Sequence, residues 1–510
     1  MKKANFFKLL LCTTFLSTLL VSLSSAKSEK LSKRSSTSKP NIVFILADDM
    51  TADEVKFMPH LKSNILDRGI NFKNYFISVP LCCPSRTTIV RGQYSHNTNV
   101  KTNNYPDGGF LRFYETRFDK STIATWLQGS GYNTALIGKY LNGIEQSNPR
   151  TYVPPGWSEW HSPINLFAAY QGFQYTLNEN GTKVSYGTQP KDYGTDVYTK
   201  KANRFIEQSV AKKRPFFLFL SVVAPHAPAI PAPRHAELFP GVTAPRTPAF
   251  NEKNVADKPN YIQQLPLLNS DSQGKMDRLY RKRLQSLQAV DEAIQSLYIT
   301  LKSTGQLHNT YLFFSSDNGY MFGQHRIPGG KSVSYEESIR VPLIVSGPGI
   351  PAGKNCQHLA GNIDLAPTFA SLAKVSVPSF VDGRSLVPLL GKSSPSLNQW
   401  RQSYLLEHWP DSQSVSTYPK EQRDLTLEEQ YINPKADIPI PEFHGIRTYK
   451  YSYVEYSTGE RELYNLSFDP YQLTNIASRN PQLVKNFSAR VNQLKQCKGN
   501  NCQIIENQQF

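Results

Sequence analysis

Apolar runs alternate with amphipathic stretches from residue 41 onward, and this alternation predicts the fold class. Residues 42–47 form an apolar run without a polar position, as in a strand that is buried on both faces of a parallel sheet. Further strand-like runs occupy residues 70–76, 133–139, 215–226, 310–319 and 340–347, and helical spacing occupies residues 58–69, 121–131, 196–210 and 276–305. Strands that alternate with helices predict an α/β fold, with a large, mixed and mostly parallel sheet flanked by helices.

The pattern changes after about residue 385. Residues 444–466 are rich in Tyr, Val and Thr, alternate in polarity and turn at residues 457–459, which is typical of an antiparallel hairpin. We therefore expect a main α/β domain over residues 41–385 and a smaller α+β domain with an antiparallel sheet over residues 386–510.

The first 26 residues, 1–26, have the organisation of a secretory signal peptide. Lys2 and Lys3 precede an apolar stretch, and small residues before Ala26 offer a cleavage site. A membrane anchor is the alternative, but Lys, Ser and Thr keep the apolar run short for a bilayer span. We expect export to the extracellular space, the cell wall or a lysosome-like compartment, with residues 27–40 as a disordered lead-in.

Export changes the interpretation of the six cysteines. Cys12 leaves with the signal peptide, and Cys497 and Cys502 are close enough in sequence to close a small disulfide loop in an oxidising compartment. The other cysteines are too few and too scattered for a disulfide framework or a CxxC zinc site. Three sequons support a secretory route and predict N-glycosylation at Asn180, Asn465 and Asn486.

The chain is basic, with a formal net charge of +17 that falls to +14 once the three lysines of the signal peptide are removed. Such a surface would attract an anionic polysaccharide, although solubility alone explains the charge equally well. Export and the lack of a recognisable binding module argue against nucleic acid as a partner.

Polar side chains collect where four of the predicted strands end. The carboxyl ends of parallel strands meet at one edge of a sheet, where ligands bind. Three carboxylates and an amide in one place call for a cation, and an all-oxygen set suits calcium or magnesium better than zinc. Each acidic pair alone has an ordinary explanation, because DD can cap a helix and DNG is a common turn. The residues concerned are Asp48, Asp49, Lys139, His226, Asp317 and Asn318.

The stretch LCCPSR, residues 81–86, places two cysteines side by side. Pro84 predicts a rigid turn into a short helix, so Cys82 would lie beside a helix N-terminus, where anions are favoured. Arg86, one turn further on, could reach the same place. A vicinal disulfide, a redox pair, or one buried and one paired cysteine are alternatives, and spacing alone does not identify the nucleophile.

Cys82-x-Pro84-Ser85-Arg86, followed by TTIVRGQYSHNTN, resembles the signature of the type I sulfatase family. The resemblance runs from residue 41 to about residue 385 and includes NIVFILADDM, APHAP, SSDNGYMFGQHR and GGKSVSYEESIRVPLIVSGPGI. RGQYSHNTN is similar to the fungal and algal arylsulfatases, and GKYLN to the branch that holds glucosamine-6-sulfatases and endosulfatases. The resemblance implies an alkaline-phosphatase-like fold and the hydrolysis of sulfate monoesters, either aryl sulfates or carbohydrate sulfates.

The same resemblance implies that a formylglycine-generating enzyme oxidises Cys82 before folding. One hydroxyl of the aldehyde hydrate would attack sulfur, and the other would expel sulfate. An ordinary Ser or Cys has no second hydroxyl and so lacks this route for sulfate release. The implied metal is calcium. Its implied ligands are Asp48, Asp49, Cys82, Asp317 and Asn318.

The resemblance also assigns roles to the basic residues. Arg86 would stabilise the aldehyde hydrate, and Lys139 and Lys331 would neutralise charge on the sulfuryl oxygens. Either Lys331 or His226 would protonate the departing alcohol, and the sequence leaves both open.

One position departs from the pattern of many arylsulfatases. These enzymes carry a histidine two residues after the lysine that corresponds to Lys139, and this chain has Leu141 there. Asn142 could replace part of that role. His325 is a further candidate for substrate contact, and a histidine in a surface loop is an equally good explanation of it. The walls of the substrate pocket are expected from residues 149–160 and from residues 227–270, a proline-rich stretch that predicts an extended surface excursion.

Two other classes of function compete with this one. Related phosphatases and phosphodiesterases use Ser or Thr with two zinc ions and often carry His at the position of Asn318, so Cys82 and Asn318 both argue against them. An inactive, basic polysaccharide-binding relative is opposed by the complete set of site residues. A broad arylsulfatase is the leading hypothesis, and an N-acetylglucosamine-6-sulfatase-like glycosaminoglycan exosulfatase is the alternative.

Overall fold

The apolar runs of the sequence become the central strands of a large sheet in the computed structural model, which describes residues 39–411 and 440–510. The predicted signal peptide and almost all of the predicted lead-in lie outside the described residues. The strands are β1 (Asn41–Ala47), β2 (Ile70–Phe72), β3 (Tyr75–Phe76), β4 (Asn133–Gly138), β5 (Glu159–Pro163), β6 (Thr176–Glu179), β7 (Thr182–Ser185), β8 (Phe216–Ser221), β9 (Thr310–Ser316), β10 (Leu343–Ser346), β11 (Lys354–Cys356), β12 (Ala360–Gly361), β13 (Ser403–His408), β14 (Phe443–Thr448), β15 (Tyr451–Tyr456) and β16 (Arg461–Asn465).

The helices include those that the amphipathic stretches predict. They are α1 (Pro59–Leu61, continued by a π-helical turn at Lys62–Leu66), α2 (Cys82–Arg91), α3 (Ser95–Thr98), α4 (Gly109–Glu115), α5 (Ile123–Gly129), α6 (Leu166–Tyr170), α7 (Gly194–Ala211), α8 (Asn260–Gln263), α9 (Ser270–Ser303), α10 (Glu336–Ile339), α11 (Leu365–Leu372), α12 (Val387–Leu390), α13 (Pro481–Leu494) and α14 (Asn500–Asn507).

The large sheet has the strand order β11-β2-β10-β9-β1-β8-β4-β5-β6-β7. Its centre, β9-β1-β8-β4, is parallel throughout, and every residue of β1 is buried. Strands β10, β6 and β7 pair antiparallel with their neighbours, which makes the sheet mixed. The predicted mixed, mostly parallel α/β fold is confirmed, and the four central strands end along one edge.

The far edge of the sheet is a feature that we did not predict. Strands β5, β6 and β7 extend it through residues that the sequence analysis assigned to a loop or left unassigned. Asn180 and Gly181 form the tight turn between β6 and β7, with φ values of 52° and 94°. An Asn-Gly pair between alternating residues is a known hairpin indicator, so the sequence did contain the information for this turn.

The C-terminal sheet is antiparallel, as predicted, but it is larger than one hairpin. It has the order β13-β14-β15-β16, and a second tight turn at Tyr449 and Lys450 separates β14 from β15. The described residues from Pro40 onward group into one compact unit, and the domain boundary near residue 385 stays a prediction. Cys497 and Cys502 form a disulfide with their Cα atoms 4.9 Å apart.

The predicted surface excursion at residues 227–270 is only partly correct. It is irregular as expected, with α8 and a 3-10 turn at Pro233–His235. It is not a surface appendage, however, because Ala232, Ala249 and Ile262 are fully buried. No helix among residues 39–411 and 440–510 is long and apolar enough to cross a bilayer.

The residues around His96, in the segment RGQYSHNTN at the end of α2, contact the disulfide loop of Cys497 and Cys502. His96 Nδ1 lies 2.8 Å from a carboxylate oxygen of the buried Glu407, and its Nε2 lies 3.0 Å from the carbonyl oxygen of Cys497. Asp382 accepts hydrogen bonds from the backbone amides of Tyr94 and of Gly499. This stretch therefore fixes the loop that follows α2.

We expect His96 to make stability depend on pH. Burial alone would lower its pKa, but the carboxylate of Glu407 outweighs burial and raises the pKa to about 9 from 6.5. The raised pKa stabilises the fold fully below pH 6.5, and this contribution is lost as the pH rises through 9. Two other groups affect the pKa of His96. Asp382 favours the charged imidazole, and His444 opposes it.

The measurement compares the free energy of unfolding of the wild type with that of His96→Asn between pH 5 and pH 10, a range that spans both ends of the shift. The difference should be on the order of 3 kcal/mol at the acid end and should shrink toward alkaline pH. A difference that does not change with pH would show that folding does not raise the pKa of His96.

Candidate active site

The ends of the four central strands place the predicted residues side by side. Asp48 and Asp49 follow β1, and Asp317 and Asn318 follow β9. Asp49 has φ of 68°, in the left-handed region, so the backbone turns directly after the strand. Its amide donates to Asp317 Oδ1 at 3.0 Å, which ties the two strand ends together. Lys139 follows β4, and the segment after β8 carries His226.

Three carboxylates and one amide form a dense oxygen cluster at this edge. Carboxylate oxygens of Asp48, Asp49 and Asp317 lie within 4.8 Å of one another, and all three side chains are fully buried. Asp49 Oδ2 and Asn318 Oδ1 are buried acceptors without a hydrogen-bond partner. Unpaired buried oxygens are costly, and a hard cation would satisfy them. The donor set therefore fits calcium.

Basic side chains surround the acids. Lys139 Nζ lies 2.8 Å from Asp48 Oδ2, and Lys331 Nζ lies 2.5 Å from Asp49 Oδ1. Burial alone would raise the pKa of Asp49, but Lys331 and His226 outweigh it and lower this pKa to about 2.

The other two acids shift in opposite directions. The pKa of Asp48 falls well below its usual range because Lys139 and Arg86 outweigh burial. The pKa of Asp317 is raised, first by burial and then by the neighbouring Asp48 carboxylate. Of the three carboxylates, Asp317 is thus the one whose charged form its neighbours do not fully stabilise, and a cation bound beside it would favour that form.

Cys82 points into this cluster, and Cys83 points away from it. Helix α2 begins at Cys82 itself, and the thiol sulfur lies 3.6 Å from Asp48 Oδ1 and 3.1 Å from Lys331 Nζ. Cys83 packs in the main hydrophobic core, and its amide donates to Asn103 Oδ1 at 2.8 Å. Both thiols are free, so the alternative of a vicinal disulfide is wrong.

An unmodified thiol at position 82 would be a poor nucleophile. Burial raises the pKa of Cys82 well above 9.0, so the group stays protonated near neutral pH. Only the thiolate is reactive.

The residues after Cys82 fasten α2 to three strand ends. Ser85 Oγ donates to the carbonyl oxygen of Asp317 at 2.5 Å. Arg86 donates from Nε to Asp317 Oδ2 at 2.7 Å and from Nη1 to Ser221 Oγ at 2.7 Å and to the carbonyl oxygen of Lys139 at 3.1 Å. Neither the contact of Ser85 nor the involvement of Ser221 was predicted from the sequence.

The imidazole of His226 has a defined proton arrangement. Its Nδ1 lies 2.7 Å from the carbonyl oxygen of Ala227, which can only accept, so Nδ1 carries a proton. Nε2 faces the acidic cluster and lies 3.7 Å from Asp49 Oδ2. His226 can therefore hold a transferable proton toward the acidic cluster.

Two further residues support the site and were missed from sequence. Arg283 on α9 is fully buried, donates to the carbonyl oxygen of Asp49 at 2.6 Å and binds the Glu54 carboxylate at 2.9 Å. The sequence did contain an indication of this role, because Arg283 is a charged residue on the apolar face of α9, four residues from Leu279 and from Leu287. Tyr170, on α6, contacts two of the basic groups, and no motif pointed to it.

Asn142 and His325 have other surroundings. The Asn142 backbone lies beside the thiol of Cys83, on the core side of α2. His325 is fully buried, its Nδ1 lies 2.7 Å from Glu252, and its ring lies 4.1 Å from that of Tyr335. The surface-loop explanation of His325 is therefore wrong, and substrate contact by either residue stays a prediction.

An α/β sheet with an acidic oxygen cluster, basic side chains and a helix N-terminus at one edge is suited to a hydrolase of anionic esters, and its acidic cluster could hold a metal ion. Comparison with known proteins specifies the class further. The family model described as Sulfatase matches residues 40–375. The chain belongs to the sulfatase family and is a sulfuric ester hydrolase.

Relatives in two branches share most of the chain. It is 34% identical to an arylsulfatase of Volvox carteri, over 91% of this chain and 76% of the relative. It is 34% identical to N-acetylglucosamine-6-sulfatase of Homo sapiens, over 91% of this chain and 86% of the relative. Both predicted branches are confirmed as similar.

Other comparisons cover different shares of the proteins matched. The chain is 38% identical to an extracellular sulfatase Sulf-1 homolog of Caenorhabditis elegans over 72% of its own length, and it spans 52% of that relative. A solved structure of a protein in complex with its substrate, D-glucosamine-2-N,6-O-disulfate, superposes with a TM-score of 0.70 at 23% identity, covering 92% of this chain and 100% of that chain. This likeness confirms the alkaline-phosphatase-like sulfatase fold.

Proposed function

We propose that the chain hydrolyses sulfate monoesters with formylglycine at position 82 and calcium at the acidic cluster. The observation that carries the proposal is the position of Cys82. It is the first residue of a buried helix and lies between Lys331 and the Asp48 carboxylate, and burial raises the pKa of its own thiol. Formylglycine supplies, as its hydrate, a nucleophilic hydroxyl with its own route for sulfate release.

Calcium would be held by the four residues that end β1 and β9, together with the side chain at position 82. A calcium ion there would supply positive charge to stabilise a sulfuryl oxygen of the ester. The support is the pair of unpartnered oxygens, Asp49 Oδ2 and Asn318 Oδ1, within a set made of oxygen donors. The zinc phosphodiesterase alternative lacks the nitrogen ligand that it would need at Asn318.

We assign a separate role in the reaction to each of three basic residues. Lys139 has three N–H donors, of which Asp48 and Tyr170 take two, and we assign the third to a sulfuryl oxygen. Lys331 lies against the sulfur of Cys82 and is assigned to charge at the attacked group. Arg86 is held by Asp317 and Ser221 and keeps α2, and so the nucleophile, in place.

We assign proton delivery to the leaving oxygen to His226. Its Nδ1 is committed to the Ala227 carbonyl, so Nε2 is the atom that would hold and donate the proton. Lys331 is the alternative, and its contact with Cys82 favours a role at the nucleophile instead.

Leaving-group dependence tests the proposed function and this assignment together. A residue that protonates the departing oxygen matters most for poor leaving groups such as sugar alcohols. His226→Ala should lower kcat on 6-sulfated glucosamine by about 10²–10³-fold and on nitrophenyl sulfate by about 10-fold or less. Lys331→Ala should lower both by similar factors. Equal losses for both esters with His226→Ala would remove the acid role from this residue.

We propose a broad arylsulfatase activity, with a glucosamine-6-sulfatase-like activity as the alternative. The sequence identities to the Volvox and human enzymes are both 34%, so they do not order the two. Charge offers a discriminating test. If the basic surface serves a polyanionic substrate, hydrolysis of that polymer should weaken steeply with added salt, while hydrolysis of nitrophenyl sulfate should change little. Efficient release of sulfate from 6-sulfated glucosamine residues with this salt dependence would favour the alternative.

We also propose that the protein is secreted or resides in the lumen of the secretory pathway, and is glycosylated at its sequons. The disulfide between Cys497 and Cys502 suits an oxidising compartment. Asn180 and Asn486 are exposed, and Asn465 is half-buried. Maturation in that compartment would require a formylglycine-generating enzyme that acts on Cys82.

A further inference from the structure

Tyr170 connects two basic groups of the proposed mechanism. Its hydroxyl oxygen accepts a hydrogen bond from Lys139 Nζ at 2.8 Å. Its ring stacks on the imidazole of His226, with centroids 4.0 Å apart and planes inclined by 3°. The side chain is almost completely buried, at 4% exposure. One residue thus contacts the group assigned to the sulfuryl oxygens and the group assigned to the leaving oxygen.

The surroundings hold Tyr170 firmly. It is the last residue of α6, whose first turn is capped by Asn165 Oδ1, which accepts from the amide of Ala168 at 3.1 Å. Its ring belongs to a small apolar cluster with Leu166, Ala169 and Val223. A ring that is fixed in this way can restrain the flexible side chains that contact it.

Lys139 and His226 reach the site from two neighbouring strands. Lys139 directly follows β4, and His226 lies five residues beyond the end of β8. A lysine side chain is costly to immobilise, because it loses several rotatable bonds. Asp48 and Tyr170 together fix two of the three N–H directions of its ammonium group. The stack fixes the plane of the imidazole, while the Ala227 carbonyl fixes its rotation.

We propose that Tyr170 is a positioning residue that fixes Lys139 and His226 relative to each other, an inference that rests on the proposed function. Its two parts have separable effects. The hydroxyl acts through Lys139 on the sulfuryl group, which all sulfate esters share. The aromatic face acts through His226 on the leaving oxygen, which differs between esters.

Two variants separate these parts. Tyr170→Phe keeps the ring on His226 and removes the partner of Lys139. We expect kcat to fall about 10-fold on both nitrophenyl sulfate and 6-sulfated glucosamine. Tyr170→Leu removes the ring as well. We expect the same loss of about 10-fold on nitrophenyl sulfate and a loss of about 100-fold or more on the sugar sulfate, because proton delivery matters only there.

The experiment uses the full mature chain with calcium present and measures kcat, KM and the melting temperature of each variant. Tyr132→Phe is the matched control, because Tyr132 is a buried tyrosine whose hydroxyl donates to the Pro40 carbonyl at 2.8 Å, away from the site. It should leave kcat on both esters unchanged. A greater selective loss with Tyr170→Leu than with Tyr170→Phe supports the proposal.

Two results would overturn it. One is kcat within about twofold of wild type on both esters for Tyr170→Phe. The other is an equal loss on both esters for Tyr170→Leu. If Tyr170→Leu does not fold, Tyr170→Phe decides alone, since an equal loss of about 10-fold supports the link to Lys139 and no loss removes it. A wild-type protein that is inactive on every sulfate ester would instead refute the proposed function, and the inference with it.

Discussion

Cys82→Ser is expected to lower kcat on nitrophenyl sulfate by at least about 10⁴-fold, a loss typical of removing a catalytic nucleophile. The substitution keeps a small polar group between Asp48 and Lys331, so the fold should change little. A serine hydroxyl can attack once, but the sulfate ester that forms has no second hydroxyl to expel it. Intact-mass spectrometry after incubation with substrate should therefore show one added sulfuryl group, and turnover should stop.

The neighbouring cysteine provides the control. Cys83 lies in the hydrophobic core, and its backbone amide makes the contact with Asn103 that a substitution would keep. Cys83→Ala should lower the free energy of unfolding by about 1–2 kcal/mol through the cavity left behind, with kcat unchanged. Peptide mass spectrometry of the wild type should show formylglycine only at Cys82. Full activity with unmodified cysteine at that position would refute the mechanism.

The central site could be predicted because its geometry follows from strand ends. Each central strand is an apolar run that stops at a polar residue, and parallel strands bring those stops to one edge. Asp48 and Asp317 were therefore placed together without tertiary information, and β1 and β9 do pair in parallel. The motif Cys82-x-Pro84-Ser85-Arg86, together with the segments that carry the paired acids, indicated the family.

The supporting residues were harder to predict, since their roles arise from contacts between distant segments. Tyr170 lies in an edge region where short strands of mixed composition gave no clear period. Arg283 acts on Asp49 from a helix more than 230 residues away in sequence. The burial of His325 depends on Glu252, which belongs to the irregular stretch between β8 and α9. Local pattern carries no information on such pairings.

Asp317→Asn is expected to weaken calcium binding at least about 100-fold and to abolish most activity. The amide can still accept from the backbone amides of Asp49 and Asn318, as Asp317 Oδ1 does at 3.0 and 2.9 Å. The substitution removes one negative charge from a cluster of three carboxylates. The number of charged ligands largely sets the affinity for calcium. Arg86 also loses the nearer of its two carboxylate partners and keeps only Asp48 at 3.7 Å, so some loss of stability should accompany the change.

Asp291→Asn is the matched control for that experiment. Asp291 is also a buried carboxylate that accepts from two backbone amides, those of His60 and Leu61, at 2.9 and 2.7 Å, but it lies outside the site. It should cost stability without changing calcium content, measured by elemental analysis and calorimetric titration. A chelator should inactivate the wild type, and calcium should restore it. Unchanged calcium affinity in Asp317→Asn, or an equal loss in Asp291→Asn, would show that the acidic cluster at the ends of β1 and β9 is not the metal site.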